Sequence, residues 1–235
     1  MTILFAAALA AAIASPEEPA LPSAGGAAVT NSVAVAVGEP QGSPMDALSE
    51  TPVFGENATA LEMVEGCMAM VPEKVEISGH INRRSRHGTQ IAAYRYVLKR
   101  ERGDTDLSVF DKDGKSVEVK KDGRLLDTDV TWSDLTLDFL WWDDVSFDEK
   151  RESESVQGVI CRVLLLKKGG RAVRTWVDRR TGAMLQAEEV ADGKVVRELF
   201  CTSLKKFGDR WAPKNIEVGP PGAKYRTKIV VEDVK

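Results

Sequence analysis

Histidine is nearly missing from this chain: His80 and His87 are the two among 235 residues. His80 falls on the polar parity of a strand-like run and His87 in a basic turn, so neither a metal pair nor an imidazole acid–base centre is expected. Cysteine is scarce too. Cys67, Cys161 and Cys201 show no CxxC spacing for zinc or dithiol chemistry. No serine occupies a GxSxG turn, and the glycines form no phosphate-binding loop. Asp143-Asp144 and Asp148-Glu149 lack the spacing and turn glycine of a calcium loop, and they read as a solvated acidic face. These absences argue against an enzyme and against a resident cofactor or metal. No apolar run is long enough to span a bilayer as a helix.

Basic residues are absent from the first 52 positions, which hold Glu17, Glu18, Glu39, Asp46 and Glu50. The net charge of −4 conceals a further polarity along the rest of the chain. Residues 104–156 carry sixteen acidic against seven basic groups, and residues 157–235 carry seventeen basic against nine acidic. Pairing across a sheet accounts for such polarity. The basic groups are spread along strands without a nucleic-acid motif, so no nucleic-acid partner is expected.

Residues 1–14 read as a secretory signal peptide. Ile3 to Ala14 is an apolar run, and Ala12-Ile13-Ala14 offers a small-x-small cleavage site. No Lys or Arg precedes the run, so either translation starts elsewhere or the α-amino group alone supplies the charge. No cysteine follows the cleavage site, which argues against a lipid anchor. Residues 15–52 are rich in Ala, Pro, Gly and Ser and bury too little to offset their ordering entropy; they read as a disordered linker. The folded domain is expected at 53–235. In an exported chain three cysteines fit one disulfide and a spare thiol. Cys67 on an early helix facing Cys161 on a central strand is the favoured pair, with the other two pairings open.

Thr59-Ala-Leu-Glu62 is a capping box. Leu61, Val64, Met68 and Val71 follow at helical spacing until Pro72. Beyond Pro72 the period becomes two: Val75, Ile77, Gly79 and Ile81 alternate with Glu76, Ser78, His80 and Asn82. Turn pairs then recur, among them His87-Gly88, Asp113-Gly114, Asp122-Gly123, Gly169-Gly170, Thr181-Gly182 and Asp192-Gly193, separating short β-rich runs. This predicts a mainly β (α+β) antiparallel meander of about ten or eleven strands with one helix before it. Val159 to Leu166 is apolar at both parities, so its strand must be covered on both faces.

One stretch interrupts the meander. Trp132 to Trp142 holds three of the five tryptophans together with Leu135, Leu137, Phe139 and Leu140. A short helix apolar on most of its circumference needs cover on more than one side. It either plugs a core or lines a place where an apolar ligand binds. Met63, Met68, Met70 and Met184 suit an adaptable apolar surface.

Asp129-Val-Thr-Trp-Ser-Asp-Leu-Thr-Leu-Asp-Phe-Leu-Trp-Trp142, Val156-Gln-Gly-Val-Ile-Cys-Arg-Val-Leu-Leu165 and Trp176-Val-Asp-Arg-Arg-Thr-Gly182 resemble the outer-membrane lipoprotein-sorting family, the LolA-like periplasmic carriers. Leu185-Gln-Ala-Glu188, Gly193-Lys-Val-Val-Arg197, Arg210-Trp-Ala-Pro-Lys-Asn-Ile216 and Arg226 to Val234 extend the resemblance, which runs over residues 59–235. It implies an unclosed antiparallel β-barrel of about eleven strands, with helices covering the open side and an apolar cavity within. It also implies a monomer that carries acylated lipoprotein or lipid cargo through the periplasm. Cargo would come from an inner-membrane ABC transporter and pass to an outer-membrane receptor. By this resemblance Leu135, Phe139, Leu140, Trp141 and Trp142 form a movable lid, Trp176 and Met184 line the concave sheet, and Arg83, Arg84 and Arg95 are candidates for a gating arginine. The alternative is an envelope-stress or lipid-sensing interaction module on the same fold.

Overall fold

A computed structural model describes residues 53–69, 72–102, 104–121, 123–208 and 210–235. The signal-peptide and linker assignments, and Met70 and Val71, lie outside the described residues.

The predicted capping box forms. The Thr59 amide donates to Glu62 Oε2 at 2.7 Å, and the Glu62 amide donates to Thr59 Oγ1 at 3.2 Å. It starts helix α1, Ala60–Ala69. The predicted apolar stripe is rotated, because α1 buries Ala60, Met63, Val64 and Cys67 while Leu61 is exposed. Two contacts set that rotation. The Phe54 ring packs on Gly66, where a Cβ would lie 2.4 Å from it. The Cys67 thiol donates to the Gly182 carbonyl at 3.4 Å. Phe54 itself is anchored through its amide to the Arg179 carbonyl.

The rest is one antiparallel sheet of twelve strands. They are β1 (Lys74–Arg84), β2 (Gln90–Glu101), β3 (Asp104–Phe110), β4 (Ser116–Val117), β5 (Asp144–Phe147), β6 (Ser153–Val156), β7 (Val159–Lys168), β8 (Arg171–Asp178), β9 (Met184–Ala191), β10 (Lys194–Phe207), β11 (Arg210–Gly219) and β12 (Thr227–Val234). Their order is β4-β3-β2-β1-β12-β11-β10-β9-β8-β7-β5, with β6 also on β7. The sheet runs from β4 to β5 without those ends meeting, so it is unclosed, as the family resemblance implied.

The predicted strand count falls short by the small edge strands. β4 has two residues and β6 four. The β6–β7 turn at Gln157-Gly158, with φ of 52° and 83°, carries an Asn-Gly type geometry on an atypical residue pair. Gly123, by contrast, lies in the long connection after β4 and turns no hairpin. Pro213 pairs with Leu204 of β10, outside the Asn215–Val218 stretch where β11 meets β12, so it occupies a locally free edge.

Register separates the two faces. Leu164, Thr175, Ala187, Leu199, Val218 and Thr227 form one row across six strands, and all are buried. The row beside it, Val163, Trp176, Gln186, Phe200, Glu217 and Lys228, belongs to the opposite face. The first face, here the inner one, carries the core, and it also carries Ile77, Ile81, Tyr96 and Leu98. Both faces of β7 are covered, as its sequence demanded: Leu164 and Leu166 lie inside, and Cys161 and Val163 are buried outside. Side chains of the β5–β6 connection, of β6 and of β9 bond across that outer face. Arg174 Nε donates to Asp148 Oδ2 at 2.5 Å, its Nη1 to Glu188 Oε2 at 2.7 Å, and Trp176 Nε1 to Glu154 Oε2 at 3.0 Å. Asp148 is thus buried in an ion-pair network, not part of a solvated acidic face; Asp143, Asp144 and Glu149 are exposed.

Candidate functional site

The Trp132–Trp142 segment folds as two short helices instead of the single predicted one. Thr131 caps the first in an extended conformation, and its amide donates to Asp134 Oδ2 at 2.7 Å while the Asp134 amide donates back to Thr131 Oγ1. Helix α2 is Trp132–Thr136. Leu137 then adopts the left-handed conformation, with φ 55° and ψ 38°, and a 3₁₀ turn follows over Asp138–Trp141. A left-handed leucine costs roughly 1–2 kcal/mol; burial of the same side chain offsets it. The break re-aims the chain so that Leu135, Leu137, Phe139, Leu140 and Trp142 all point into the core. Phe139 meets Trp142 edge to face at 6.4 Å. The backbone–backbone bonds from Asp134 N to Thr131 O, Leu137 N to Ser133 O, Leu140 N to Leu137 O and Trp142 N to Phe139 O lie inside the segment or at its cap. Apolar burial and side-chain bonds hold it in place.

Two arginines supply those bonds. Arg197 of β10 ion-pairs with Asp134 through Nη1 and with Glu189 Oε2 through Nη2 at 2.9 Å, and donates to Thr131 Oγ1 at 2.8 Å. The side chains of Arg197 and Asp134 are 8% and 5% exposed, so this is a buried pair. Burial pushes the Asp134 carboxyl above its usual range, and Arg197 and Thr131 pull it back. Arg100 of β2 donates through Nη2 to the Thr136 carbonyl and through Nε to Thr105 Oγ1, both at 3.1 Å. Its guanidinium lies 4.1 Å over the Trp141 ring. The three arginines named from the sequence sit elsewhere: Arg83 engages Asp127 and Asp129, Arg95 lies over Phe110, and Arg84 ends β1. Arg100 and Arg197 carried a sequence signal. Each occupies the apolar parity of its strand, in the rows Tyr96, Leu98, Arg100 and Arg197, Leu199, Cys201, where an unpaired charge is prohibitive. Thr131-x-x-Asp134 was likewise a legible cap.

Of the residues named as a lid, Leu135, Phe139, Leu140 and Trp142 come together on the inner face, and Trp141 faces outward at 41% exposed. Met184 pairs with Val177 on the inner face. Trp176 does not line it, because it shares the outer face with Arg174 and Glu188. The void among Asp134, Phe139, Val173, Arg197 and Leu199 is only about 10 Å³. The segment's own side chains occupy the place where a ligand cavity was expected.

The favoured disulfide is not formed. Cys67, Cys161 and Cys201 are free and buried; Cys67 donates to Gly182 O and Cys161 to Val159 O, so the two thiols turn to different carbonyls. Burial pushes all three thiols up to about 12. The histidines are apart in role, with His80 Nδ1 3.1 Å from Glu232 and His87 in the β1–β2 turn. Among the described residues no group of three or more His, Cys, Asp or Glu is placed to hold a metal, and no helix is long and apolar enough to cross a membrane.

No family model matches the sequence, and no curated protein matches it. Solved structures do. A LolA superfamily protein from Nitrosomonas europaea superposes with a TM-score of 0.57 at 17% identity, over 76% of this chain and 93% of that one. A putative outer membrane lipoprotein-sorting protein domain from Vibrio parahaemolyticus gives 0.54 at 13% identity, over 75% and 91%. A DUF1329 family protein from Desulfovibrio piger gives 0.53 at 15% identity, over 75% and 91%. The chain therefore has the LolA-like fold.

Proposed function

We propose that this protein is a periplasmic carrier that shelters acyl chains of lipoproteins or lipids beneath the Trp132–Trp142 segment and moves them toward the outer membrane. The observation that carries this reading is the way the segment is held. It lies on the inner face of an unclosed sheet, packed there by apolar side chains and tied by Arg100 and Arg197, and it belongs to none of the sheet's strands. Such an element can leave without breaking a strand ladder.

The energies are commensurate. Exposing five buried side chains, Leu135, Leu137, Phe139, Leu140 and Trp142, costs about 1.5–3 kcal/mol each, or roughly 7–15 kcal/mol in all. An acyl chain of about fifteen methylenes gains ~0.8 kcal/mol for each one buried, about 12 kcal/mol. Exchange of plug for chain is therefore near balance, as a carrier that must both load and unload requires. The resting protein is closed, with the plug's apolar side chains packed on the inner face until cargo displaces them. The fold it shares with a putative lipoprotein-sorting domain supports the same cargo class. Its hand-over partners on this reading are an inner-membrane ABC transporter and an outer-membrane receptor.

Native mass spectrometry with a lipid-modified peptide tests the proposal. A one-to-one adduct is expected that the non-acylated peptide does not give. Stable capture of a regulatory protein, with no lipid adduct, would instead favour the sensing module.

A further inference from the structure

The outer side of the same segment borders an open groove of about 310 Å³, lined by Arg100, Asp104, Lys121, Trp132, Asp138 and Trp141 together with Thr105. Its lining is unlike the plug's: two indoles and charged groups of both signs. Arg100 lies over Trp141, and the Lys121 ammonium is 5.4 Å from the Trp132 ring centre. Asp138 accepts from the Ser133 hydroxyl, whereas Asp104 and Lys121 are exposed. Among the described residues, no ion pair joins Arg100 or Lys121 to Asp104 or Asp138. Opposite charges thus line one groove without touching. Arg100 uses Nε and Nη2 on protein oxygens, and its Nη1 group engages no described residue.

We infer that this groove recognises the headgroup of a zwitterionic phospholipid. The phosphodiester sits against Arg100 and Lys121, which donate charge-assisted hydrogen bonds. The ammonium sits against Asp104 and an indole face, where a cation is attracted by the ring quadrupole. A neutral sugar would stack on the indoles but leave both cations without a counter-charge. The position fits a lipid whose chains lie under the plug, because Trp141 points into the groove while its neighbours Leu140 and Trp142 point into the core. Headgroup and chains would meet opposite sides of one 3₁₀ turn. This inference rests on the carrier reading and names the lipid class that reading left open.

The test uses the full chain and three soluble dihexanoyl lipids below their micellar concentrations: phosphatidylethanolamine, phosphatidylglycerol and the uncharged diacylglycerol. Affinities are read by tryptophan emission and native mass spectrometry. Phosphatidylethanolamine is expected to bind about tenfold more tightly than phosphatidylglycerol, one charge-assisted contact apart, and both more tightly than diacylglycerol. Lys121→Gln should weaken both phosphate-bearing lipids, Asp104→Asn only phosphatidylethanolamine, and neither should alter diacylglycerol binding or thermal unfolding. Equal binding of all three lipids, or variants that leave every affinity unchanged, overturns the headgroup site while the carrier stands. Failure of every lipid to bind overturns both.

Discussion

Arg197→Met isolates the bond that holds the plug. In the folded protein Arg197 neutralises Asp134 inside the core and donates to Thr131, the cap of α2. Removing one member of a buried ion pair costs about 3–5 kcal/mol, because the other charge remains desolvated. That cost is relieved when the segment leaves the sheet and Asp134 reaches water. It therefore falls on the closed state selectively, and the opening equilibrium should rise by roughly two to three and a half powers of ten. Hydrogen exchange resolved by peptide checks this. Amides of Leu135 to Trp142 should exchange hundreds of times faster in the variant, while β8, β9 and β10 keep their protection and tryptophan emission shifts to the red. The paired variant Arg197→Met with Asp134→Leu removes both charges and should restore most of the protection. Uniformly faster exchange over the whole sheet would refute the reasoning. It would mean that the segment is an integral piece of the core that opens only by global unfolding.

The three thiols, pushed up to about 12, are thiols at neutral pH, so Ellman's reagent should find none in the native protein and three after denaturation. One thiol after denaturation would show a disulfide. Gly79→Ala should destabilise by more than about 3 kcal/mol in urea unfolding, since the new Cβ would lie 2.0 Å from the Val230 carbonyl oxygen and 3.0 Å from the Tyr96 ring, at a bulge between β1 and β12. Asp148 gives a pH signature. Burial raises its pKa, but Arg174, the Lys150 amide and Arg151 together lower it more, and the net folded value lies below the usual one. Its stabilisation is thus present above the unfolded pKa of about 3.9 and is lost as pH falls through the folded value. Asp148→Asn should be less stable than the parent at pH 7, with the two converging as pH falls through the folded value; a difference that stays constant into strong acid would contradict the assignment.

Much of this architecture was legible because period-two alternation survives in long strands such as β1. β1 reads correctly from Val75 to Ile81, and the double apolar parity of β7 announced its cover on both faces. What escaped were elements whose cause is tertiary. β4 and β6 are too short to show a period. The stripe on α1 rotated because Phe54, just before the helix, and Gly182, far along the chain, dictate which side is buried. The plug's contents were visible as an excess of apolar residues, but its division at Leu137 was not, since leucine gives no sign of a left-handed conformation. Trp176 was placed on the concave sheet by resemblance, although its parity with Arg174 sets it on the outer face. Arg100 and Arg197 were passed over for arginines near the first hairpin, although a charge in an apolar row is the stronger signal.

The central claim is that an acyl chain takes the plug's place against the sheet. Lipid brominated at mid-chain reports this directly, because bromine quenches an indole only on contact. Titrated into the protein, it should quench an emission component that is absent in Trp142→Phe, whose ring otherwise faces the core. Binding without quenching, or the same quenching with and without Trp142, would place the chain elsewhere and contradict the account.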